Sequence, residues 1–568
     1  MNKLVVFLAL FAAAMCTFAQ GDVEKKISVI GQTRGQFYGD QLMNPEPDSV
    51  TAVKLNSGNV LADLGLKIQV NKTMEVLGMV RIRNDYGGFW GSGVSFDVRQ
   101  LMVRGLIGNA VRYSLGDINY KMTPFTLWNN SQEWSEGAAQ IFKDQQGVLN
   151  YDHFYNPDHS WRQQGAAADG GFIFSKGIQE LKWGVFSSRV KTTDFGNVPD
   201  RVFSGVSLDA KVNNMWSVAY HYANLWDIQG TANSTTAFRN PVHTLSTHFA
   251  SKTGVVNHDI QIETGISKRW EENNSVYTKR EGNFVHGSYK ITWPEERWNW
   301  QVTLNRVDAD FRSPGAQSRR LNPIGALSAY QRTGNDQSLR TLNLLDLMRE
   351  SNLYNLQLQT ELGTYLPYYD NITPYGVATP NRQGAEVKVG GKSKSKKFSW
   401  SLSRGAYQET RGEGTLEPRK FERSKFQCDG TVGDWGNQTL QIQAELRSDK
   451  TQRVLEEPIP STDLKTNCVV LGLDWSLNKK WHALLGTQYV RYIGNDLVPV
   501  LNFTGDITNF NEQNWNGKEW MNAVGIKYEF SEKSFLTLQN NQWTGSVASS
   551  SMPNYQWKQW MILYQMNF

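Results

Sequence analysis

The sequence predicts an all-β fold, a transmembrane antiparallel β-barrel of about 22 strands (18 to 24) with two long outer loops. Three observations predict it. Apolar and polar residues alternate at period two in many segments of strand length. The chain carries 20 Trp, 22 Tyr and 26 Phe at a mean hydropathy of -0.50. Short turns alternate with longer connections, as they do in barrels that have a polar lumen and aromatic rims.

The first twenty residues predict a secretory signal peptide (1–19), followed by a single barrel domain (20–568). Lys3 precedes an apolar stretch over residues 4–15, and Thr17-Phe18-Ala19 forms a small-x-small cleavage site. The apolar stretch is too short to span a bilayer. A lipoprotein would acylate Cys16, but Met15 stands where such sites carry a small residue. No later run of 18 apolar residues predicts a transmembrane helix.

Short turns join the predicted strands in pairs, for example at Asn71-Lys72, Gly108-Asn109, Asn213-Asn214 and Asn478-Lys479. Longer segments connect one pair to the next, and the longest cover residues 121–167 and 309–383. This asymmetry favours a membrane barrel over a propeller or a solenoid. The predicted strands cover residues 27–38, 60–70, 73–84, 98–107, 111–120, 170–175, 180–190, 202–212, 215–225, 242–250, 255–267, 282–293, 297–307, 385–391, 398–408, 421–429, 439–448, 466–477, 481–492, 520–530, 535–543 and the C-terminal segment.

The alternation assigns the two faces of individual strands. In residues 297–307, Trp298, Trp300, Val302 and Leu304 share one face, and amide or hydroxyl side chains occupy the other. Successive side chains of a strand point to opposite faces, so the aromatic and aliphatic face would contact lipid and the polar face water.

The two long loops have features of their own. Residues 336–351 read DQSLRTLNLLDLMRES, in which Leu339, Leu342 and Leu345 share a helical face and Asp336 could cap the first turn. This pattern predicts a short helix. Aromatic residues of the loops could stack on sugars, form loop cores or belong to the interface girdle; they include Trp128, Trp134, Tyr151, Tyr155 and Trp161.

The candidate functional residues are charged side chains at the strand positions that the alternation assigns to the water-facing side. They could line a pore and set a weak solute preference, or they could pair across neighbouring strands and brace the wall. Both alternatives stay open at this point. The candidates are Arg81, Arg83, Arg104, Asp259, Glu263, Lys290, Glu445, Lys527 and Glu529.

The sequence contains no G-x-S-x-G, HExxH or Walker motif. Asp152-His153 and Asp158-His159 do not match a tight metal-ligand spacing. We therefore expect no enzymatic activity, no metal and no cofactor. A net charge of +5 is too diffuse to indicate a nucleic-acid partner. Cys428 and Cys468 fall on strands with one strand between them, beyond disulfide reach, so two free thiols are predicted.

The last strand, residues 555–568, carries a further signal. Trp560, Ile562, Tyr564, Met566 and Phe568 share one face, and the chain ends on an aromatic residue. This ending resembles the C-terminal assembly signal of bacterial outer-membrane barrels, carried here by Tyr564, Met566 and Phe568. The closing strand should pair with the first strand and so remove the last free edge of the sheet from lipid.

The whole layout is similar to that of large, plugless outer-membrane barrels of the Bacteroidota, many of them uncharacterised. Asp48-Ser49-Val50 also resembles the short O-glycosylation acceptor of that phylum. The few residues between the signal peptide and the first strand leave no room for a plug domain.

The resemblance implies the outer membrane of a Gram-negative bacterium, with both termini periplasmic. It implies a porin-like channel for passive passage of small hydrophilic solutes. One alternative is a non-transporting barrel subunit of an outer-membrane export or assembly complex, and another is a rim-sited outer-membrane enzyme. The expected partners are outer-membrane lipid, the barrel-assembly machinery and other outer-membrane or surface proteins.

Overall fold

The computed structural model describes residues 27–43, 53–85, 94–108, 110–128, 139–143, 151, 163–196, 199–233, 237–273, 276–316, 332–333, 338–339, 372–374, 376–412, 415–456, 461–501, 507–547 and 555–568. The strands are β1 Ile27–Met43, β2 Val53–Asn71, β3 Met74–Asp85, β4 Val94–Ile107, β5 Val111–Ile118, β6 Gln163–Ile173, β7 Glu180–Lys191, β8 Asp200–Lys211, β9 Trp216–Ile228, β10 Ala237–Thr253, β11 Val256–Asn273, β12 Val276–Thr292, β13 Asn299–Val307, β14 Arg332–Thr333, β15 Ser338–Leu339, β16 Arg382–Lys392, β17 Phe398–Gln408, β18 Lys420–Trp435, β19 Gln438–Arg453, β20 Thr462–Ser476, β21 Trp481–Leu501, β22 Ile507–Ser531, β23 Ser534–Val547 and β24 Tyr555–Asn567. Short 3-10 helices occupy Pro294–Glu296 and Pro314–Ala316.

All strands except β14 and β15 form one 22-stranded antiparallel sheet. Each wall strand pairs with its neighbours along the chain, β13 pairs with β16, and β1 pairs with β24 from Gln32↔Asn567 to Met43↔Gln556. The sheet is therefore a closed cylinder without a free edge. The predicted fold class, strand number and closing pair are confirmed.

The wall is polar inside and apolar outside. On β19, Gln443, Glu445 and Arg447 are at most 4% exposed on the inner face, whereas Leu446 on the outer face is 46% exposed. Strand β13 shows the same pattern, because Leu304 on its outer face is 58% exposed. A closed barrel satisfies its backbone hydrogen bonds internally, which makes this arrangement suitable for a bilayer. Among the described residues, no helix is long and apolar enough to cross a membrane.

Short turns connect β2 to β3 and each later pair of that parity, so these turns lie at one rim, here called the short-turn rim. The opposite end is the long-connection rim. Exposed aromatic side chains face outward near the short-turn rim, as in the girdles of membrane barrels. They include Trp298, Trp300, Trp475, Trp481 and Phe530.

Several strands extend farther toward the long-connection rim than the sequence predicts. β2 begins at Val53 and not at residue 60, β21 ends at Leu501 and not at 492, and β22 begins at Ile507 and not at 520. Beyond the apolar belt these strands continue with polar residues on both faces. Hydrophobic alternation therefore no longer identifies them in the sequence. β6 begins at Gln163 and not at residue 170. The prediction missed its first part because the small residues from Gly165 to Ala168 show no alternation.

The predicted helix in the second long loop is not confirmed. Ser338–Leu339, which lies within it, pairs antiparallel with Arg332–Thr333, and residues 340–350 lie outside the described residues. The predicted signal peptide also lies outside them. Both cysteines are free, as predicted. Cys428 is opposite Ala444 and Cys468 is opposite Arg447, so the two thiols lie on opposite faces of the wall.

Removing Phe568 should reduce assembly more than transport. Its backbone N–H donates to the Gly31 carbonyl at 3.0 Å, and the Gly31 N–H donates to the Phe568 carbonyl at 3.1 Å. The deletion removes both hydrogen bonds of the closing pair at the short-turn rim. We expect fewer folded barrels per membrane but unchanged solute uptake per folded barrel. Heat-modifiable gel mobility counts the folded fraction, and normal assembly of the truncated chain would contradict the expectation.

Candidate functional site inside the barrel

The ladder register places all nine candidate residues on the inward face, and it brings several of them against opposite charges. Arg81 donates to both carboxylate oxygens of Asp63, at 2.8 Å each. Glu445, which is fully buried, accepts from Gln427 at 2.8 Å and lies 3.8 Å from the Lys425 ammonium. These pairs connect neighbouring strands.

A second group lies nearer the short-turn rim. Arg104 is 2.7 Å from Glu75, and Asp259 is 2.7 Å from the His248 ring. Lys527 and Glu529 are 3.4 Å apart. Lys290 is exposed opposite Asp259. Arg83 lies at the other end of β3, nearer the long-connection rim, and is half-buried opposite Leu61. Arg104–Glu75 and Asp259–His248 join neighbouring strands, whereas Lys527 and Glu529 lie on one strand, β22. Whether these residues brace the wall or set a solute preference stays a prediction.

Glu263 has a different partner, the connection between β5 and β6 (residues 119–162), called here the crossing loop. The Thr123 hydroxyl donates to the Glu263 carboxylate at 2.6 Å. Phe125 stacks on Phe284 of β12 with ring centroids 4.0 Å apart and an interplanar angle of 8°. Both rings are at most 1% exposed. The loop therefore turns inward and packs on the wall at β11 and β12.

The second long connection reinforces this contact. Phe311 packs edge-on against Phe284 with ring centroids 5.0 Å apart. The backbone N–H of Trp128 donates to the Gly315 carbonyl at 2.9 Å. Arg312 binds the wall through its backbone N–H, which donates to the Ser267 hydroxyl at 2.8 Å. The beginnings of both long connections thus share one inner surface.

The crossing loop contacts a second part of the wall with residues 139–143, of which 140–143 form a helical turn. Ala139, Ile141 and Phe142 are at most 1% exposed and pack with Leu484, Met521, Ala523, Trp543 and Trp557. Two inward glycines allow this approach. A Cβ at Gly472 would lie 2.4 Å from the Ala139 Cβ, and one at Gly486 would lie 2.5 Å from Ile141 Cγ2.

Tyr151 provides a third contact, on the wall formed by β2, β3 and β4. Its hydroxyl donates to Asp63 at 2.6 Å, and Asp63 also accepts from Arg81 and lies 3.0 Å from Nε of Arg99. The Arg99 guanidinium lies 4.0 Å from the centroid of the Tyr151 ring and donates to the Tyr151 carbonyl. Burial, the largest cause, raises the pKa of Tyr151 to about 12, so the phenol stays a donor at neutral pH.

One loop therefore contacts three sectors of a 22-stranded ring: β11–β12, β18–β24 and β2–β4. The loop leaves the wall at β5 and returns at β6. A segment that leaves and re-enters at neighbouring strands and contacts the inner face of all three sectors extends into the lumen between them. The sequence left open whether the long loops constrict or cap the barrel, and it did not predict these wall contacts. The one available sequence signal for these contacts was the pair of inward glycines on neighbouring strands, Gly472 and Gly486.

Some predicted loop residues are not described. Trp134, Tyr155, Trp161, Asp152-His153 and Asp158-His159 lie outside the described residues, and Trp128 is half-buried beside Gly315. In the part of the chain that the structure describes, no group of three His, Cys, Asp or Glu side chains could hold a metal ion.

The contact at Tyr151 predicts a response to high pH. Because the folded-state pKa is raised from 10.0 to about 12, the neutral phenol stabilises the docked loop. This stabilisation is complete below pH 10 and is lost as the pH rises through 12. Single-channel conductance should therefore be constant up to pH 10 and rise above it. Tyr151→Phe should lack this rise, and an identical rise in the variant would contradict the assignment.

No protein-family model matches the chain, and no curated protein matches it. Among solved structures, it is similar to the FrpB iron transporter from Neisseria meningitidis (9% identity, 96% of this chain, 82% of that chain, TM-score 0.45). It is also similar to the outer membrane protein opdK from Pseudomonas aeruginosa (8% identity, 95% and 99%, TM-score 0.35). A third is the P pilus usher (PapC) translocation pore (9% identity, 94% and 100%, TM-score 0.34). With TM-scores this low, the function has to be inferred from the lumen itself.

Proposed function

We propose that this protein is an outer-membrane channel that passes small hydrophilic solutes through a lumen constricted by the crossing loop. The observation that carries the proposal is the attachment of one inward loop to three wall sectors of a polar lumen. A loop that only covered the mouth would not need contacts such as Tyr151–Asp63 and Ile141–Gly486. Attachment at three sectors narrows the passage without filling the cylinder with a separate domain.

Several finer features belong to the same proposal. The C-terminal strand and the outward belt support insertion by a barrel-assembly machinery into the outer membrane of a Gram-negative bacterium, with Bacteroidota as the proposed source. The short-turn rim would then face the periplasm, together with both chain ends. Paired charges inside the wall, such as Arg81 with Asp63 and Arg104 with Glu75, support weak solute selectivity, because the anion of a pair cancels much of the field of its cation. Passive transport, without an enzymatic step or a cofactor, is part of the proposal.

Planar-bilayer conductance tests the proposal. The purified full chain should give discrete steps, and replacing residues 129–150 by a short Gly-Ser linker should enlarge them. A matched control replaces residues 229–236, a connection of the same rim that joins β9 to β10. The control should leave conductance unchanged. If neither the full chain nor variants lacking residues 129–150 or 309–383 conduct, the channel proposal fails.

A second candidate is a non-transporting barrel subunit of an export or assembly complex. It is favoured by the burial of Phe125, Phe142 and Phe311 inside the cylinder, each at most 1% exposed, because a filled lumen would bury loop residues in this way. Absence of conductance together with co-purification of a stable partner would support it.

A further inference from the structure

Four cationic side chains form a compact patch on the outer face of β19 to β22. Lys450 of β19 is the direct register partner of Lys465 of β20. Arg491 of β21 is the direct register partner of Lys518 of β22. Their strand neighbours, such as Thr451 and Glu519, are buried on the inner face, so the four cations point outward. We call these four residues the basic patch.

Like charges placed directly opposite each other on neighbouring strands are destabilising. The patch contains two such pairs on adjacent pairs of strands, offset by two residues, because Lys465 is opposite Ile493 and Arg491 is opposite Asn467. In the described ranges, Lys450, Lys465 and Lys518 have no carboxylate within ion-pair distance. Arg491 donates to neutral groups, the Gly517 carbonyl at 3.0 Å and the Asn516 side-chain oxygen at 2.6 Å. The arrangement therefore lacks a compensating anion within this part of the chain.

Among the described residues of these strands, the outward acidic side chains near the patch lie at its margins. Glu422 is the register partner of Lys450 on the other side, but its carboxylate is 2.5 Å from Arg404. Asp463 lies two residues from Lys465, farther toward the long-connection rim, and accepts from Gln452 at 3.5 Å. Neither carboxylate lies between the two cationic pairs.

The height of the patch on the wall indicates what could neutralise it. Trp520, two residues from Lys518 on the same face, is 52% exposed, and Leu446, four residues from Lys450, is 46% exposed. The basic patch thus lies at the edge of the apolar belt, beside the exposed Ile493, and this edge is the level of lipid headgroups. A soluble partner reaches this level less readily than the lipid that surrounds the barrel.

We infer that the basic patch binds the headgroup of a lipid that carries two phosphate groups. Each phosphate would contact one pair, Lys450 with Lys465 or Arg491 with Lys518, through charge-assisted hydrogen bonds. The midpoints of the two pairs are two inter-strand spacings apart, about 10 Å across the strands. This length suits a headgroup with two separated phosphates better than one with a single phosphate. The inference does not depend on whether the barrel conducts.

Native mass spectrometry of the full chain in detergent micelles tests the inference. The probes are a bisphosphorylated glycolipid (lipid A), its monophosphorylated form and phosphatidylcholine. The wild-type chain should retain the bisphosphorylated lipid most strongly. The variants K450Q/K465Q and R491Q/K518Q should each bind it roughly tenfold more weakly, since each Lys or Arg near a lipid surface contributes to attraction.

The matched control is K54Q/K558Q, which removes two exposed lysines on β2 and β24 that have strand β1 between them. Its lipid retention should equal that of the wild-type chain. Equal loss in the control and patch variants would overturn the inference, and so would equal retention of all three lipids. Displacement by free pyrophosphate as readily as by lipid would show that the patch takes soluble phosphate, which would also overturn it. Heat-modifiable mobility verifies that each variant is folded.

Discussion

Replacing Asp63 with alanine is expected to destabilise the barrel by about 3–5 kcal/mol, the usual cost of removing one partner from a buried ion pair. The Asp63 carboxylate is fully buried and is shared by Arg81, Arg99 and Tyr151. Its removal leaves two buried guanidinium groups without the anion that joins them. It also removes the acceptor of the Tyr151 hydroxyl, so the crossing loop should detach from this sector.

Urea unfolding of the detergent-solubilised barrel measures the loss of stability, and the conductance reports the detached loop. The matched control is Asp169→Ala, which breaks the exposed pair between Asp169 and Arg112 at 2.8 Å. Solvent screens such a pair, so its loss should cost at most about 1 kcal/mol. Equal stability of the Asp63 and Asp169 variants would contradict the structural role given to Asp63.

Replacing Gly486 with leucine should raise the conductance, because the new side chain would occupy the position where the crossing loop docks. A Cβ at Gly486 already meets Ile141 Cγ2 at 2.5 Å and the Ala139 Cβ at 3.1 Å. The longer leucine side chain cannot fit while residues 139–143 remain in place. Overpacking of this kind costs about 1–3 kcal/mol, which the loop can avoid by leaving the wall.

Two measurements separate loop release from misfolding. Trypsin should cleave at Lys143 faster in the Gly486→Leu variant, while heat-modifiable mobility shows that the barrel is intact. Gly287→Leu is the control, because Gly287 faces outward and nothing lies within 4 Å of its Cβ position. A conductance that is unchanged or lower in the Gly486 variant would show that residues 139–143 do not restrict the passage.

The fold could be predicted because its evidence is local. Period-two alternation, as in Trp298 and Trp300, follows from the geometry of a single strand, and each short turn is marked by its own residues. The strand number and the pairing of β1 with β24 then follow from joining neighbours along the chain. The prediction failed where the local pattern is weak, at the polar ends of β21 and β22 and in the small-residue strand β6.

The candidate site could be predicted only in part. Parity along the strands placed Arg81 and Glu445 on the water side, but it could not show that Arg81 pairs with Asp63 or that Glu445 lies beside Lys425. Cross-strand partners depend on the register of two strands, and one residue of slip exchanges the two faces. Whether these charges act as braces or as free pore-lining groups is therefore a property of the assembled ladder.

The sequence by itself determined the class of the protein: a closed antiparallel cylinder with a polar lumen and an apolar outer belt. Its closing strand begins at Tyr555 and ends beside Gly31. Only the tertiary structure decided how the crossing loop uses that cylinder. Tyr151 meets Asp63 across 88 residues, and Ile141 meets Gly486 across an even longer stretch. Such contacts exist only once the ring has closed and brought distant strands around one lumen, and no local pattern in the chain encodes them.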